Sequence, residues 1–225
     1  MTTTPLKAPL GADTAASTAT VRDDIVRLGA SLFERTLTFG RTGNLSVRVS
    51  DRIIVTPTGV SLGALDADKL SVIDLEGQHL DGAKPSKEAF LHAAVYRARP
   101  GAGAVVHLHS THAVAVSCLA GLDDDDVMPP LTAYYVMRVG KLPLLPYHAP
   151  GDESLESLAE ATAADHRCFL LANHGSVVAG ADLAAAADAA EELEETARLF
   201  LMLRDHHTRP LDKEQVADLN RRYPA

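Results

Sequence analysis

His107 and His109 lie one residue apart at the end of an apolar run over residues 104–109. If that run is a β-strand, side chains alternate between its two faces, so both imidazoles point the same way, with Cα atoms about 6–7 Å apart. His174 ends a second apolar run, ahead of Gly175. Two imidazoles on one strand and a third from a neighbouring strand end suit a divalent metal site with a position left open for substrate. The alternative is a set of half-buried histidines satisfied by ordinary hydrogen bonds.

A metal site of this kind needs a fourth ligand, and Glu88 is the candidate. Ser86 is a good N-cap residue for a helix that runs to about Ala98, which places Glu88 in its first turn. A carboxylate in that position can equally serve only to stabilise the positive end of the helix dipole. His92 follows Glu88 by one helical turn, so it either supports the metal ligands or lies on an exposed helix face.

Three short turns have the chemistry of an anion-binding site. Turns of glycine, threonine and asparagine expose backbone N–H groups and hydroxyls, and a helix N-terminus adds partial positive charge. Each turn alone is also ordinary loop sequence. The candidate phosphate-binding residues are Gly43 and Asn44 in the first turn, Thr58 and Gly59 in the second, and Ser86 and Lys87 in the third.

The elements that must position these residues alternate between strands and helices. An amphipathic helix is predicted over residues 21–37, and a hairpin around Ser50 and Asp51 is followed by a third strand at residues 71–75. After the Ser86 helix come the histidine strand, a helix at 110–119, a helix near 131–139, a strand at 142–145, a helix at 153–165, the His174 strand, a long helix at about 182–206 and a last helix after Pro210. Strands and helices are therefore mixed along the chain, with hairpins early and helices on either side.

Composition excludes several function classes. The formal net charge of −9 argues against a nucleic-acid surface or an anionic membrane as partner. No apolar stretch approaches the roughly 20 residues of a membrane span, and the N-terminus does not resemble a secretory signal. Cys118 and Cys168 lie in apolar runs and are expected to be reduced core residues. We expect a cytoplasmic protein with a flexible N-terminal tail over residues 1–19 and a single domain over residues 20–225.

The motifs in their order resemble the class II aldolase/adducin superfamily. They are Gly43-Asn44, Thr56-Pro57-Thr58-Gly59, the segment 84–88, His107-Leu108-His109 and Asn173-His174-Gly175. The resemblance covers roughly residues 21–205. It implies a three-layer α/β/α fold with a central, mainly antiparallel sheet, and a homotetramer with active sites between subunits. It also implies zinc, or else manganese, cobalt or iron(II), as cofactor.

The resemblance also implies roles for single residues. His107, His109 and His174 match the metal ligands, and Glu88 matches the carboxylate that binds metal in the resting state and shuttles a proton. The six turn residues match the phosphate contacts. In this family a tyrosine from a neighbouring subunit is the second acid/base group, and Tyr135 fits its position better than Tyr134.

Within the family, the segment 85–92 and Tyr134-Tyr135 look most like the branch that decarboxylates 3-oxo-tetronate 4-phosphates. Loss of CO2 leaves a carbanion, which a metal bound to the neighbouring oxygens would hold as an enediolate. The expected products are dihydroxyacetone phosphate and CO2. The alternatives are a sugar-phosphate aldolase of the L-fuculose or L-ribulose phosphate type, a methylthioribulose phosphate dehydratase and, from another class, a non-catalytic adducin-like interaction domain.

Overall fold

The computed structural model describes residues 12–223, with side chains from residue 18 onward. Within that range eight strands form one sheet. They are β1 (Asn44–Val49), β2 (Arg52–Val55), β3 (Ser71–Asp74), β4 (His79–Asp81), β5 (Ala104–Leu108), β6 (Leu144–Leu145), β7 (Cys168–Leu171) and β8 (Gly175–Gly180). The sheet order is β4-β3-β2-β1-β5-β8-β7-β6. All neighbouring strands pair antiparallel except β6 and β7, which pair parallel.

Seven α-helices within the described residues flank the sheet. They are α1 (Ala12–Glu34), α2 (Ala89–Ala98), α3 (Thr111–Ser117), α4 (Ala133–Arg138), α5 (Glu156–Asp165), α6 (Leu183–Leu203) and α7 (Lys213–Arg222). Among the described residues, no helix combines the length and the apolar character needed to cross a membrane.

Two hydrophobic cores lie on opposite faces of the sheet, as strand alternation requires. On one face, Val106 of β5 packs with apolar residues of α1, α3, α4 and α6. On the other face, Val105 packs with residues of α2 and α5. The predicted three-layer α/β/α fold with a mainly antiparallel sheet is therefore confirmed.

His107 follows the same alternation as Val105, so it faces α2. Asn44 and Ser46 flank Leu45, whose side chain lies in the opposite core, so they too face α2. The α2 face of β1 and β5 therefore carries the polar residues that surround the candidate site.

Two sequence expectations need correction. The first helix, predicted over residues 21–37, spans Ala12–Glu34, while residues 1–11 lie outside the described residues, so the flexible tail over residues 1–19 stays a prediction. Cys168 is buried as expected, but Cys118 is exposed because it follows the last turn of α3. The single domain over residues 20–225 stays a prediction.

Candidate active site

Four predicted metal ligands meet at the end of β5. The candidate ligand atoms of Glu88, His107, His109 and His174 all lie within 4.8 Å of one another. The Nε2 atom of His109 lies 3.1 Å from that of His107 and 3.0 Å from that of His174. Glu88 Oε2 lies 3.3 Å from His107 Nε2, and Glu88 Oε1 lies 3.0 Å from His174 Nε2. The structure thus brings the two histidine motifs and the glutamate to one point.

The chemistry and spacing of these donors fit a metal ion. Ligands about 2.0–2.1 Å from a tetrahedral zinc ion are separated from each other by about 3.3 Å, close to the distances observed here. His107 donates from Nδ1 to the Ser176 carbonyl oxygen over 2.8 Å, which leaves its Nε2 lone pair directed at the cluster. Three imidazoles and one carboxylate accept zinc, manganese, cobalt and iron(II) alike, so the donor set indicates a divalent metal without selecting one.

The third histidine reaches the cluster through a tight turn. Asn173, with φ of 56°, and His174 connect β7 to β8 in a hairpin, so the apolar run before His174 continues directly into another strand. A Cβ on Gly175 would lie 2.3 Å from the Leu108 carbonyl oxygen. Only glycine therefore allows β8 to approach β5 closely enough to place His174 beside His109.

Glu88 lies at the start of α2 rather than inside its first turn. The helix begins at Ala89, with Glu88 at the N-cap position, because Pro85 forms a bridge with Pro57 that keeps the preceding chain extended. The prediction that Ser86 is the N-cap is therefore wrong, although its hydroxyl accepts a hydrogen bond from the Glu88 backbone N–H. The Glu88 side chain caps no helix N–H and instead contacts the histidines.

Burial and charge set the protonation of these ligands. Burial alone would raise the pKa of Glu88, but the charges and hydrogen bonds of His107 and His174 hold that pKa far below its usual value. Burial, together with the neighbouring His107 and His174, lowers the pKa of His109 to about 3. An ionised carboxylate and a neutral imidazole are the forms that bind a divalent metal.

The three candidate phosphate turns lie next to one another. Thr58 N donates to the Lys84 carbonyl oxygen over 3.0 Å, and Ser86 N donates to that of Thr56 over 3.2 Å, which joins the second turn to the third. Thr56 N donates to the Leu45 carbonyl oxygen over 3.0 Å, next to the first turn. A larger side chain in place of Gly43 would meet the His107 carbonyl oxygen at 2.9 Å, and the positive φ of 76° also favours glycine there.

The side chain of Asn44, which we expected to contact phosphate, makes other contacts in the structure. This side chain is buried, and Nδ2 donates to Glu88 Oε2 over 2.8 Å. Its Oδ1 atom contacts His92 Nε2. Both ends of the amide are therefore engaged inside the protein, so a side-chain contact between Asn44 and a phosphate would require these bonds to break. Gly43, Thr58, Gly59, Ser86 and Lys87 are half-buried or exposed at the surface of the site.

The structure places the two candidate tyrosines differently. Tyr135 is 2% exposed and packs in the hydrophobic core together with residues of the sheet and α6. Its hydroxyl has no hydrogen-bond partner among the described residues. Tyr134 is 59% exposed, and the Arg138 guanidinium lies 5.5 Å from its ring centroid. Of the two side chains, that of Tyr134 lies at the surface of the chain.

The sequence left the role of His92 open and gave none to His148. His92 is buried against Asn44 and Ser46, and its spacing of four residues from Glu88 was the signal for it. His148 lines a small cavity together with Glu88 and His174, from a loop whose approach to the site no local pattern indicates.

Comparison with known proteins places the fold and the site in a family. The model of the class II aldolase and adducin N-terminal domain matches residues 23–201. The 3-oxo-tetronate 4-phosphate decarboxylase of Haemophilus influenzae is 51% identical over 199 residues, covering 88% of this chain and 95% of that protein. The L-fuculose phosphate aldolase of Escherichia coli O6:H1 is 35% identical over 164 residues, covering 72% of this chain and 74% of that protein.

Comparison with solved structures supports the same family. The crystal structure of YgbL from Klebsiella pneumoniae superposes with a TM-score of 0.88 at 45% identity, covering 90% of this chain and 98% of that one. Residues 23–201, which the family model matches, contain all four clustered donors and the three turns. This chain therefore belongs to the class II aldolase/adducin family.

Proposed function

We propose that this protein is a metal-dependent 3-oxo-tetronate 4-phosphate decarboxylase. The observation that carries the proposal is the convergence of Glu88, His107, His109 and His174, the donor set that stabilises a carbanion next to a carbonyl group. The 51% identity to the Haemophilus influenzae decarboxylase over most of both chains supports this reaction over others in the family.

The reaction breaks the bond between C1, the carboxylate carbon, and C2. The electron pair of that bond moves to C2 and is delocalised onto the C3 oxygen as an enediolate, while C1 leaves as CO2. Protonation of C2 then gives dihydroxyacetone phosphate. A divalent metal, when bound, supplies Lewis-acid stabilisation of the negative charge on the C3 oxygen, worth several kcal/mol.

Glu88 is the proposed proton donor to C2. Its carboxylate contacts His107 and His174 in the resting arrangement, and substrate would displace it toward the reacting carbon. The carboxyl group then carries a proton taken from solvent, which balances the loss of CO2. Burial of Glu88 in the site keeps the proton transfer away from bulk water.

The turns are the proposed phosphate site. Backbone N–H groups near Gly43 and Gly59 and the Ser86 hydroxyl are suitable donors, and exposed Lys87 adds a cation beside Glu88. Charge-assisted hydrogen bonds of about 1.5–3 kcal/mol each would anchor a dianion despite the acidic protein. The phosphate would hold C2 and C3 in register with Glu88.

Tyr134 is the proposed second acid/base group, acting on the active site of a neighbouring subunit. Its exposure on α4 supports this role, which requires an oligomer with active sites between subunits. The homotetramer, zinc as native metal and the cytoplasmic location are proposals that follow from the family. The converging donor set argues against a purely structural, adducin-like role.

Product analysis tests the proposal. Purified enzyme with zinc or manganese should release CO2 and dihydroxyacetone phosphate in equal amounts from 3-oxo-tetronate 4-phosphate, and a chelator should stop the reaction until metal is added back. The main rival is a sugar-phosphate aldolase like the 35% identical Escherichia coli relative. Cleavage of L-fuculose or L-ribulose phosphate to an aldehyde, without CO2 release from the tetronate, would favour that rival.

A further inference from the structure

A buried chain of hydrogen bonds runs from α2 to the oxygen of the candidate proton donor. Tyr96 Oη lies 2.9 Å from Ser46 Oγ, and Ser46 Oγ lies 2.7 Å from His92 Nδ1. His92 Nε2 contacts Asn44 Oδ1, and Asn44 Nδ2 lies 2.8 Å from Glu88 Oε2. The four residues behind Glu88 are each no more than 4% exposed. Solvent therefore cannot replace any one of them without a change in structure.

The chemistry of the groups fixes the direction of every bond in this chain. Ionised Glu88 can only accept, so the Asn44 amide must turn its nitrogen toward Glu88 and its oxygen toward His92. An amide oxygen can only accept, so neutral His92 must carry its proton on Nε2 and accept at Nδ1.

The remaining two hydroxyls follow. Ser46 must donate to His92 Nδ1, and the Tyr96 hydroxyl can then donate to Ser46. One consistent orientation thus satisfies the whole chain.

We propose that His92 and Asn44 are positioning residues, which lock the Glu88 carboxylate in the orientation from which it serves both the metal centre and the substrate. This inference rests on the proposed function, because it assigns Glu88 its proton-transfer role. Asn44 holds Oε2, while Oε1 contacts His174. When substrate displaces Glu88 from the histidines, the bond from Asn44 to Oε2 would limit how far the carboxyl group moves.

The chain is suited to positioning rather than to proton transfer. Burial, with a smaller contribution from His107, lowers the pKa of His92 to about 3, so its imidazole is neutral near pH 7. Burial raises the pKa of Tyr96 well above its usual value. Neither group exchanges protons in the working range, so the chain supplies a fixed neutral donor beside Glu88.

Substitutions at His92 test the proposal. His92→Leu removes the donor to Asn44, whereas His92→Gln can place an amide N–H near the position of Nε2. Val95→Ala is the control for lost packing in the same helix, because Val95 is buried in α2 but lies outside the chain of hydrogen bonds. Metal content, kcat and KM are measured for each metal-loaded protein.

We expect His92→Leu to lower kcat by about 10–100-fold, as for other groups that orient a metal-site ligand, with KM changed less than about threefold. His92→Gln should recover at least about tenfold of that loss, and Val95→Ala should keep kcat near wild type. Equal kcat losses in His92→Leu and His92→Gln, or a loss no larger than that in Val95→Ala, would overturn the proposal.

If His92→Leu does not fold, Ser46→Ala carries the test, since it removes the hydroxyl that donates to His92 Nδ1 and accepts from Tyr96. It should lower kcat about 3–10-fold with KM unchanged, and a kcat equal to wild type would overturn the proposal. Failure of the proposed function is distinguishable, because it would show as no CO2 release by the wild type. The ratio of each variant's kcat to that of the wild type can then be measured with L-fuculose or L-ribulose phosphate instead.

Discussion

Tyr134 and Tyr135 are adjacent in α4, yet the first side chain is 59% exposed and the second is 2% exposed. Adjacent residues of an α-helix point about 100° apart, so one can face the core while the other faces outward. Burial raises the pKa of Tyr135 well above its usual value, and Asp126 and Cys168 add to this effect. A hydroxyl in that position cannot serve as an acid or base for a substrate outside the core.

The two Phe variants should therefore behave in opposite ways. Tyr134→Phe should lower kcat by about 10²-fold or more with little change in stability, as expected for loss of a general acid/base group. Tyr135→Phe removes a buried hydroxyl that has no hydrogen-bond partner among the described residues, so the variant should retain activity. Its free energy of unfolding should equal that of the wild type or exceed it by up to about 1 kcal/mol. Steady-state kinetics and urea unfolding of both variants check this prediction. The reverse pattern would return the catalytic role to Tyr135.

The sequence allowed prediction of the residues that come together at the site, because strand alternation and motif order constrain them strongly. Alternation along a strand was enough to predict that His107 and His109 face the same way. The family resemblance predicted that His174 lies close to them. The strand β8 was not predicted from the sequence. It begins directly after the turn with Gly175 and Ser176, two residues that do not have the apolar or β-branched pattern of a strand. The strand β4, which is short and exposed, was not predicted either.

Other errors came from contacts that are distant in the sequence. The bridge between Pro57 and Pro85 sets the start of α2, so a cap rule applied to Ser86 alone placed it too early. The burial of Tyr135 depends on the core formed with α6, which helix periodicity over a six-residue helix cannot locate. The engagement of Asn44 by Glu88 and His92 likewise joins residues 44 or more positions apart.

Loss of the metal should abolish activity and lower stability. His109→Gln removes one of the three imidazoles, so it should bind metal weakly and release little CO2. A metal present at 100 times its dissociation constant stabilises the native state by about 2.7 kcal/mol, so chelation of wild-type enzyme should lower the unfolding midpoint measurably. Metal analysis and thermal unfolding check both effects. His79→Gln, at an exposed histidine, is the control and should match wild type.

Glu88→Gln should separate metal binding from turnover. The three histidines remain, so the variant should retain part of its metal, but an amide cannot carry the proton to C2. We expect kcat to fall by about 10²–10⁴-fold while KM stays within a few fold. Glu76→Gln, at an exposed loop position, should behave as wild type. Turnover by Glu88→Gln near the wild-type rate would remove Glu88 from the chemistry.

Lys87→Ala should act mainly on substrate binding. Its exposed ammonium contacts the phosphate equally in the ground state and the transition state if it serves only as an anchor, so KM should rise by about 10–100-fold with kcat within about threefold. Lys69→Ala, which breaks only a surface pair with Asp66, controls for the loss of one positive charge. A collapsed kcat with unchanged KM would instead place Lys87 at the reacting carbons.

Neutral, buried His92 should make stability depend on pH below neutrality. Its folded pKa of about 3 is below the value of about 6.5 in the unfolded chain, so the unfolded state binds more protons between these values. The His92 contribution is therefore present above pH 6.5 and is lost as pH falls toward 3. Between pH 7 and pH 5, wild-type protein should lose about 2 kcal/mol of unfolding free energy that His92→Gln does not lose. Urea unfolding of both proteins is measured with chelator, so that the metal ligands stay comparable. Equal losses in the two proteins would show that the pKa of His92 in the folded state is close to its value in the unfolded chain.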